Sequence, residues 1–541
     1  MLKKIYTLLS VEERKECLGV GLAVFVRALL DFASLAALLP ILILLLGDQP
    51  DKAKALLLCL AVLVFILLKN GLSLLITRYQ VRFLLQLYRR FSHHMYKNYY
   101  RRGLLYIKSR GTISLTNEVN FICYAFCLNI LQPIIAMLGS GLLVLLLWLA
   151  LVVWEPLAGL LLAVGFLPIG WIYLHFIRQR ARQYGEEEIQ ARRNQARTVS
   201  ETFRGYSELE INQAYPMLEQ SFLEGIESIN HSRMRMQMVQ SVPPIISEAS
   251  IVIGIALVLI ASSGDIKIVS GIFALAAFRM MPAVRGLLSS WTTIRSYSHC
   301  IDIIADGTKD KEKEEASVIP VNFAHEISIE HLQFTFPDGG EILRNLSFKI
   351  QKGERIGIRG SSGSGKSTLF NLLLGFYPLT GGEIRIDGQL MRPDMLSGWH
   401  KLLGYVPQEV FIVKGDLAQN VALGQIKIDE DRVSQVLEQV QLKSWVDTLP
   451  QGIHTPLGEF GSRLSGGQKQ RIGIARSLYK QAEILFFDEA TSSLDSQTEK
   501  EVNEAIMQLS ENHQELTLVV IAHRESTLAF CQRIIDLDQV Q

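Results

Sequence analysis

Six long apolar runs limit what this 541-residue chain can fold into more than any other feature. A helix that crosses a bilayer needs about 20 mostly apolar residues. The runs that reach this length are 18–46, 53–76, 128–153, 157–177, 244–262 and 266–288. They raise the hydrophobic content of the chain to 49%, whereas residues 320–541 have the composition of an ordinary globular domain. The sequence therefore predicts a helical membrane domain followed by a soluble domain.

The segments between these runs alternate between very short and long. The first and second, third and fourth, and fifth and sixth runs are joined only by GDQPDK, EP and SSGD. The other two connections have the spacing of continuing helices. Their arginines are Arg78, Arg82, Arg89, Arg90, Arg101 and Arg102 in one and Arg178, Arg180, Arg182, Arg192, Arg193 and Arg197 in the other. Because Lys and Arg accumulate on the cytoplasmic side, we predict a multi-pass protein of the cell (inner) membrane, with both termini, both long connections and the soluble domain in the cytosol.

The soluble half contains the pattern G-x-x-x-x-G-K-[ST], from Gly360 to Ser367 in IGIRGSSGSGKSTLF. It follows a strand-like segment and opens an apolar helix, which is the context that a P-loop needs. The small residues let backbone N–H groups surround phosphate oxygens, and the helix N-terminus adds its dipole. Lys366 is expected to reach the β- and γ-phosphates, and Ser367 to help hold Mg²⁺. The predicted ATP contacts are Gly360, Ser361, Ser362, Gly363, Ser364, Gly365, Lys366, Ser367 and Thr368.

A second motif, which is acidic, is EILFFDEA (483–490), and it supplies the partner of the P-loop. Its four apolar residues predict a buried strand that ends at Asp488, which is expected to hold Mg²⁺. Glu489, one residue later, is the natural general base for the attacking water. The alternative is that the Glu489 carboxylate caps the N-terminus of a helix.

Between these two motifs, RLSGGQKQRIGIARSL resembles the signature motif of ATP-binding cassette (ABC) proteins. The resemblance implies that this motif contacts the γ-phosphate of a nucleotide bound by the other subunit of a dimer. The implied contacts come from Leu464, Ser465, Gly466, Gly467 and Gln468. A second copy of the chain is therefore the expected partner, and a homodimer is favoured because none of the motifs is degenerate.

Further residues match the ABC family by motif. Gln408 in YVPQEVF resembles the glutamine that senses Mg²⁺, and His523 in VIAHRES resembles the switch histidine that orients Glu489. Asp495 in SSLD resembles the loop that crosses the dimer seam, and Phe336 in FTFPDGG stands where the family places a ring against adenine. The resemblance implies an ATPase with ATP and Mg²⁺ as cofactors, and with Glu489 and His523 as catalytic residues.

The segment GEFG (458–461) resembles a loop of ABC exporters that touches the membrane domain. Together with the domain order, it implies an exporter or flippase that works by alternating access. The implied parts are an all-α membrane domain with six helices (1–305), a linker (306–325) and an α/β P-loop ATP-binding cassette (326–541). The family layout also implies coupling turns near 106–113 and 208–215. No nucleic-acid partner is expected.

Charged residues inside the apolar runs bear on the cargo. Arg279 and Arg285 lie in the sixth run without an acidic neighbour on their own helix, and Arg27 and Asp31 lie one helical turn apart in the first. Charges at membrane depth usually face a cavity or pair with each other. Unpaired guanidinium groups on a pathway indicate an anion such as a phosphate. Two alternatives stay open: Arg27 and Asp31 neutralise each other, and Arg285 extends to the membrane surface.

The stretch FRMMPAVRGLL also resembles the sixth span of bacterial lipid-linked oligosaccharide flippases, which have an R-x-M-P element. This resemblance implies an amphiphilic, anionic cargo drawn from membrane lipids, such as a polyprenyl-pyrophosphate glycan. Peptides, drugs and other lipids remain alternatives, because related elements occur in exporters of other amphiphiles.

Overall fold

The structure is a computed structural model that describes residues 1–38, 40–41, 52–154, 156–261, 266–309, 319–337, 339–491, 495–522 and 524–540. The chain divides into two compact units, Met1–Arg102 with Tyr106–Lys311 and Gly103–Leu105 with Glu312–Gln541. The first unit is helical, and the second combines helices with two β-sheets. Nine of the 20 residues of the predicted linker, 310–318, lie outside the described residues.

The helices of the first unit follow the apolar and charged patterns of the sequence. They are α1 (Leu2–Leu8), α2 (Val11–Ala36), α3 (Lys52–Arg101), α4 (Leu104–Arg110), α5 (Thr112–Asn117), α6 (Cys123–Phe126), α7 (Gln132–Trp154), α8 (Pro156–Arg204), α9 (Tyr206–Ile211), α10 (Tyr215–Ala261), α11 (Ile266–Ser296) and α12 (His299–Gly307). Two π-helical segments, Glu118–Ile122 and Cys127–Leu131, flank α6.

Three of these helices are very long and pass without a break from apolar into charged sequence. α3 has 50 residues, α8 has 49 and α10 has 47, so each is roughly 70–75 Å long at 1.5 Å per residue. Ion pairs four residues apart, Arg182–Glu186 and Arg197–Glu201, support the charged half of α8. The prediction that the basic connections continue as helices is confirmed, and the short helices α4 and α9 lie at the predicted turns.

Among the described residues, three helices are long and apolar enough to cross a membrane: Val11–Ala36, Leu56–Arg101 and Thr112–Val153. They overlap the first three predicted runs, 18–46, 53–76 and 128–153, and only the third run lies wholly within its helix. The other three lie in α8, α10 and α11, where many side chains fall outside the description. GDQPDK and SSGD also fall almost wholly outside it. The apolar helices mark the first unit as a membrane domain, and six crossings remain a prediction.

Beyond its apolar run, α3 contributes to a separate core. Phe83, Leu84, Leu87, Phe91 and Met95 form a buried stripe with the spacing of one helix face. They pack with buried residues of the π-helical region, which are Ile122, Cys123, Phe126, Cys127 and Ile130. This packing fixes the rotation of α3 about its axis where it leaves the apolar run.

The described residues of the second unit form nine strands and several short helices. The strands are β1 (Glu326–Thr335), β2 (Glu341–Gln351), β3 (Arg355–Arg359), β4 (Gly381–Ile386), β5 (Gln389–Leu390), β6 (Leu403–Val406), β7 (Ile484–Asp488), β8 (Thr517–Ile521) and β9 (Arg533–Asp536). The helices are α13 (Lys366–Leu373), α14 (Leu396–Leu402), α15 (Leu417–Val421), α16 (Glu430–Gln439), α17 (Lys443–Asp447), α18 (Gly466–Tyr479), α19 (Ser496–Asn512), α20 (Glu525–Leu528) and α21 (Leu537–Val540), with 3₁₀ turns at Gly452–His454 and Glu459–Gly461.

The strands form an antiparallel sheet in the order β2-β1-β4-β5 and a parallel sheet in the order β6-β7-β8-β3-β9. The predicted strand before Asp488 is β7, whose first four residues are buried. β3 and β7 lie on either side of β8, so the residues that follow them leave the sheet at the same edge. In open α/β sheets, ligands bind at this carboxyl edge.

Candidate nucleotide site and charged residues of the membrane unit

The P-loop connects β3 to α13, as its sequence predicted. Gly363 and Gly365 have φ of 90° and 89°, a left-handed conformation that favours glycine. A Cβ added at Gly365 would also lie 2.8 Å from side-chain atoms of Ile342 and Leu343. Both glycines are therefore required by the backbone itself, and the loop can curl with its N–H groups turned inward.

Lys366 begins α13, and its side chain is only 6% exposed. Its Nζ donates to the carbonyl oxygens of Gly360 and Ser361 at 2.9 and 2.8 Å, so the ammonium lies over the loop that precedes it. Ser367, the predicted Mg²⁺ ligand, is exposed. The ammonium and the hydroxyl thus lie at the same helix N-terminus, where the dipole favours an anion.

Asp538, on α21, is a neighbour of the P-loop that sequence reasoning missed. Its carboxylate accepts from the backbone N–H of Ser361 at 2.6 Å and from the Ser361 hydroxyl at 2.9 Å. Because the two residues are 177 positions apart, no local pattern could have revealed the pair. The contact demonstrates that a loop N–H and hydroxyl are directed at an anionic oxygen.

Asp488 is the last residue of β7, and Glu489 follows it directly. The phenol of Tyr405, on the adjacent strand β6, donates to an Asp488 carboxylate oxygen at 3.3 Å. Burial, and then the Asp488 charge, raise the pKa of Tyr405, so this phenol stays a donor. Sequence reasoning missed Tyr405, although its place in the strand before the Gln408 motif could have suggested it.

Glu489 has φ of +49°, and its N–H donates to the carbonyl of Ile521 at 3.0 Å. A left-handed conformation costs a glutamate about 1–3 kcal/mol, and such residues cluster at active sites. The alternative that Glu489 is a helix N-cap is wrong, because the next described helix is α19 and its N-cap is Asp495.

The signature segment is organised around the start of α18. Ser465 is the N-cap: its hydroxyl accepts from the Gln468 N–H at 3.2 Å, and the Gln468 side chain accepts from the Ser465 N–H at 2.8 Å. This capping box leaves Gly466 exposed at the helix N-terminus, whereas Gly467 is buried. A Cβ at Gly467 would lie 2.3 Å from Cγ2 of Thr498, so the glycine allows α18 to pack on α19.

Gln408 and Asp495 connect to this segment. Gln470, a buried residue of α18 that sequence reasoning missed, donates to the Gln408 carbonyl at 2.7 Å. Asp495 caps α19 through the N–H groups of Gln497 and Thr498. The Thr498 hydroxyl and N–H are the main reason why the pKa of Asp495 lies below its usual value.

Phe336 is half-buried, and its ring meets those of Phe334 and Tyr377 edge to face at 5.0 and 6.0 Å. Stacking on adenine stays a prediction. His523 and residues 492–494 of SSLD lie outside the described residues, as does the side chain of Arg279.

The charges of the membrane unit pair between helices. Arg285 on α11 forms an ion pair of 2.9 Å with Glu248 on α10, so the expectation that its guanidinium is unpaired is wrong. Asp31 on α2 pairs with Lys69 on α3 at 2.8 Å. Arg27 donates to the hydroxyl of Thr77 on α3 at 3.3 Å.

The profile of the ABC transporter family matches residues 343–492, a range that holds the P-loop, the signature and the Asp488–Glu489 pair. Residues 343–492 are therefore an ABC transporter domain. A solved structure of a bacterial Atm1-family ABC exporter with ATP bound has the same fold, with a TM-score of 0.76 and 22% identity over 97% of this chain and 94% of that chain. The predicted fold class, a helical membrane domain joined to an ATP-binding cassette, is confirmed.

Two curated relatives of this chain carry different descriptions. The ATP-dependent lipid A-core flippase of Burkholderia pseudomallei (strain 1710b) is 31% identical over 389 residues, which is 70% of this chain and 64% of the relative. The mitochondrial iron-sulfur clusters transporter of Candida albicans is 42% identical over 217 residues, 40% of this chain and 29% of the relative. The chain therefore aligns with less than two thirds of either relative.

Proposed function

We propose that this chain is one half of a homodimeric exporter or flippase, in which ATP hydrolysis moves an amphiphilic anion across the cell membrane by alternating access. The observation that carries the proposal is the strained Glu489 beside Asp488, at the sheet edge that also bears a P-loop with two left-handed glycines. These residues occur in one chain with a membrane domain of apolar helices.

The residues suit ATP with Mg²⁺. The Ser361 N–H and hydroxyl already bind carboxylate oxygens of Asp538, which is the chemistry that a phosphate oxygen requires. Ser367 and Asp488 supply hard oxygen donors of the kind that Mg²⁺ prefers, with Gln408 as a third. When bound, Mg²⁺ would neutralise charge on the phosphates.

Each residue then has a task in hydrolysis. Lys366 exchanges its two loop carbonyls for phosphate oxygens, and Glu489 takes a proton from the attacking water while His523 orients it. Ser465, Gly466 and Gly467 face the nucleotide of the partner, because the start of α18 offers free N–H groups to an anion. The homodimer is proposed because this chain carries intact versions of both half-sites.

The cargo is proposed from charge and from the relatives. The two relatives are named for different cargoes, so the shared cassette does not identify the cargo. An amphiphilic anion fits Arg27 of α2 and Arg279 of α11, and it fits the flippase among the relatives. A polyprenyl-pyrophosphate glycan is the first candidate because of the R-x-M-P element at Arg279, followed by peptides, drugs and other lipids.

The test is ATP hydrolysis by the purified chain in liposomes, with and without a polyprenyl-pyrophosphate oligosaccharide. Glu489→Gln should lower hydrolysis at least about a hundredfold, the usual contribution of a general base, and should retain ATP binding. Glu483→Gln, which changes the glutamate directly before the same strand, is the matched control and should hydrolyse ATP normally. Hydrolysis by Glu489→Gln at the wild-type rate would contradict the catalytic assignment, and indifference to the glycan lipid would remove that cargo.

A further inference from the structure

A cavity of about 310 Å³ lies between α2, α3 and α7 of the membrane unit. Its wall is polar at six positions, which are Arg27, Asp31, Thr77, Gln80, Gln132 and Ser140. The remaining lining is apolar and includes Val24 and Leu143. A volume near the lower end of the about 300–1,000 Å³ of small-molecule sites suits a headgroup whose hydrocarbon tail lies outside the cavity.

The cavity lies where apolar helix surface gives way to polar surface. Thr77 and Gln80 directly follow the apolar run of α3, and Leu74 and Leu75, just before them, are 72% and 63% exposed. A ligand bound here would therefore have polar groups on one side and hydrocarbon-compatible surface on the other. That combination matches an amphiphile with a small polar head.

The charges around the cavity sum to one positive charge. The Asp31 carboxylate is 2.8 Å from Lys69 Nζ, and the Lys69 side chain is only 8% exposed, so this acid is balanced by a buried cation. Arg27 contributes the remaining charge, and within the described residues it forms no ion pair. Its hydrogen-bond partner there is the hydroxyl of Thr77, a neutral group.

A basic stripe adjoins the cavity on the outer face of α3. Arg78, Arg82 and Arg89 are exposed, and spacings of four and seven residues place them on one face of the helix. With Val81, Leu85 and Gln86 they line a surface groove of about 540 Å³. Val81 lines both the groove and the cavity, so the two positive surfaces are neighbours.

We propose that this cavity binds the phosphate headgroup of a membrane lipid, which deepens the proposed function and rests on it. Arg27 is the phosphate contact, because a guanidinium can form two parallel hydrogen bonds to phosphate oxygens. Neutral hydrogen bonds to the headgroup come from Thr77, Gln80, Gln132 and Ser140. The basic stripe on the outer face of α3 attracts the headgroup at the membrane boundary.

The experiment is native mass spectrometry of the full chain in detergent, titrated with hexadecyl phosphate without nucleotide and in the Glu489→Gln background. Arg27→Gln should weaken binding about tenfold or more, the usual loss for a hydrogen bond to a charged group. Arg27→Lys keeps the positive charge but cannot form two parallel hydrogen bonds to the phosphate. Its affinity should therefore lie between those of the parent and Arg27→Gln. Arg285→Gln removes an arginine paired with Glu248 outside the cavity and should bind as the parent does.

Two further ligands separate the sources of the affinity. Hexadecanol has the tail without the phosphate, and inorganic phosphate has the charge without the tail; both should bind at least about tenfold more weakly. Equal binding of either one, or wild-type affinity in both Arg27 variants, would overturn the proposal. The assay needs no hydrolysis, so a failed transport assay with normal, Arg27-dependent binding would count against the proposed function alone.

Discussion

Glu489 and Asp387 are both acidic residues with positive φ, 49° and 47°, but their surroundings differ. The Asp387 carboxylate accepts from three consecutive backbone N–H groups, those of Ala324, His325 and Glu326, at 2.6 to 2.8 Å. The strained backbone of Asp387 therefore has a structural reason, because its carboxylate holds the segment that leads into β1. Glu489 occupies the same region of φ at the sheet edge where the P-loop lies, which favours a catalytic reason.

Asp387 gives a prediction on pH. Burial raises the pKa of Asp387, but the N–H groups of Ala324, Glu326 and His325 lower it more, so the pKa lies below its ordinary value. A depressed pKa stabilises the fold above the unfolded value of about 3.9 and loses that effect as pH falls through the folded value. Asp387→Asn should cost about 1 kcal/mol at pH 7, measured by thermal unfolding of the full chain. The difference from wild type should stay constant from pH 7 to 5 and shrink below about pH 4; a difference independent of pH would contradict the prediction.

The charged residues of the membrane unit mark the limit of what the sequence could predict at this scale. Arg27, Asp31 and Arg285 are all conspicuous in apolar runs, but their observed partners are Thr77, Lys69 and Glu248, on other helices. Whether two such residues meet depends on the rotation and height of each helix, which core packing determines. Motif residues were easier, because short patterns such as GSSGSGKS fix their own backbone.

At the scale of elements, strands and helices with a strong periodic pattern were predictable, and irregular segments were not. β7 and the charged halves of α3 and α8 follow from their sequences. The π-helical segments Glu118–Ile122 and Cys127–Leu131 have no composition that distinguishes them from an α-helix. They occur where buried side chains pack against α3, so tertiary contacts decide their geometry.

The packing of α18 on α19 gives a prediction at this scale. Gly467→Ala would bring a methyl group to 2.3 Å from Cγ2 of Thr498, and such overpacking typically costs 1–3 kcal/mol. Adding Thr498→Ser removes Cγ2 and keeps the hydroxyl that donates to Asp495. The thermal unfolding temperature and the rate of ATP hydrolysis of the full chain should both be lower in Gly467→Ala than in wild type. Both should recover in the double variant. Equal loss in both would show that the methyl contact is not the cause.

At the scale of the whole molecule, the proposed homodimer predicts complementation between inactive chains. If each ATP site combines the P-loop of one chain with the signature of the other, a Lys366→Ala chain paired with a Ser465→Arg chain has one intact site. Co-expression should therefore recover about a quarter of wild-type ATP hydrolysis when dimers form at random, although each variant alone is inactive.

The matched control pairs Lys366→Ala with Glu489→Gln. Both residues belong to the same half-site of one chain, so neither site of the mixed dimer is intact and no hydrolysis should return. Recovery in this control, or none with Ser465→Arg, would contradict composite sites.

Because α3 is unbroken, any change in its length also rotates the residues that follow about the helix axis. One residue inserted between Arg78 and Phe83 would turn all that follows by about 100° and advance it by about 1.5 Å. The Phe83–Met95 stripe would then face away from its core. Seven inserted residues would leave a phase error of only about 20°. Relatives that share this helix should therefore differ in its length by about whole heptads, so that its evolution resembles that of a coiled coil more than that of a loop.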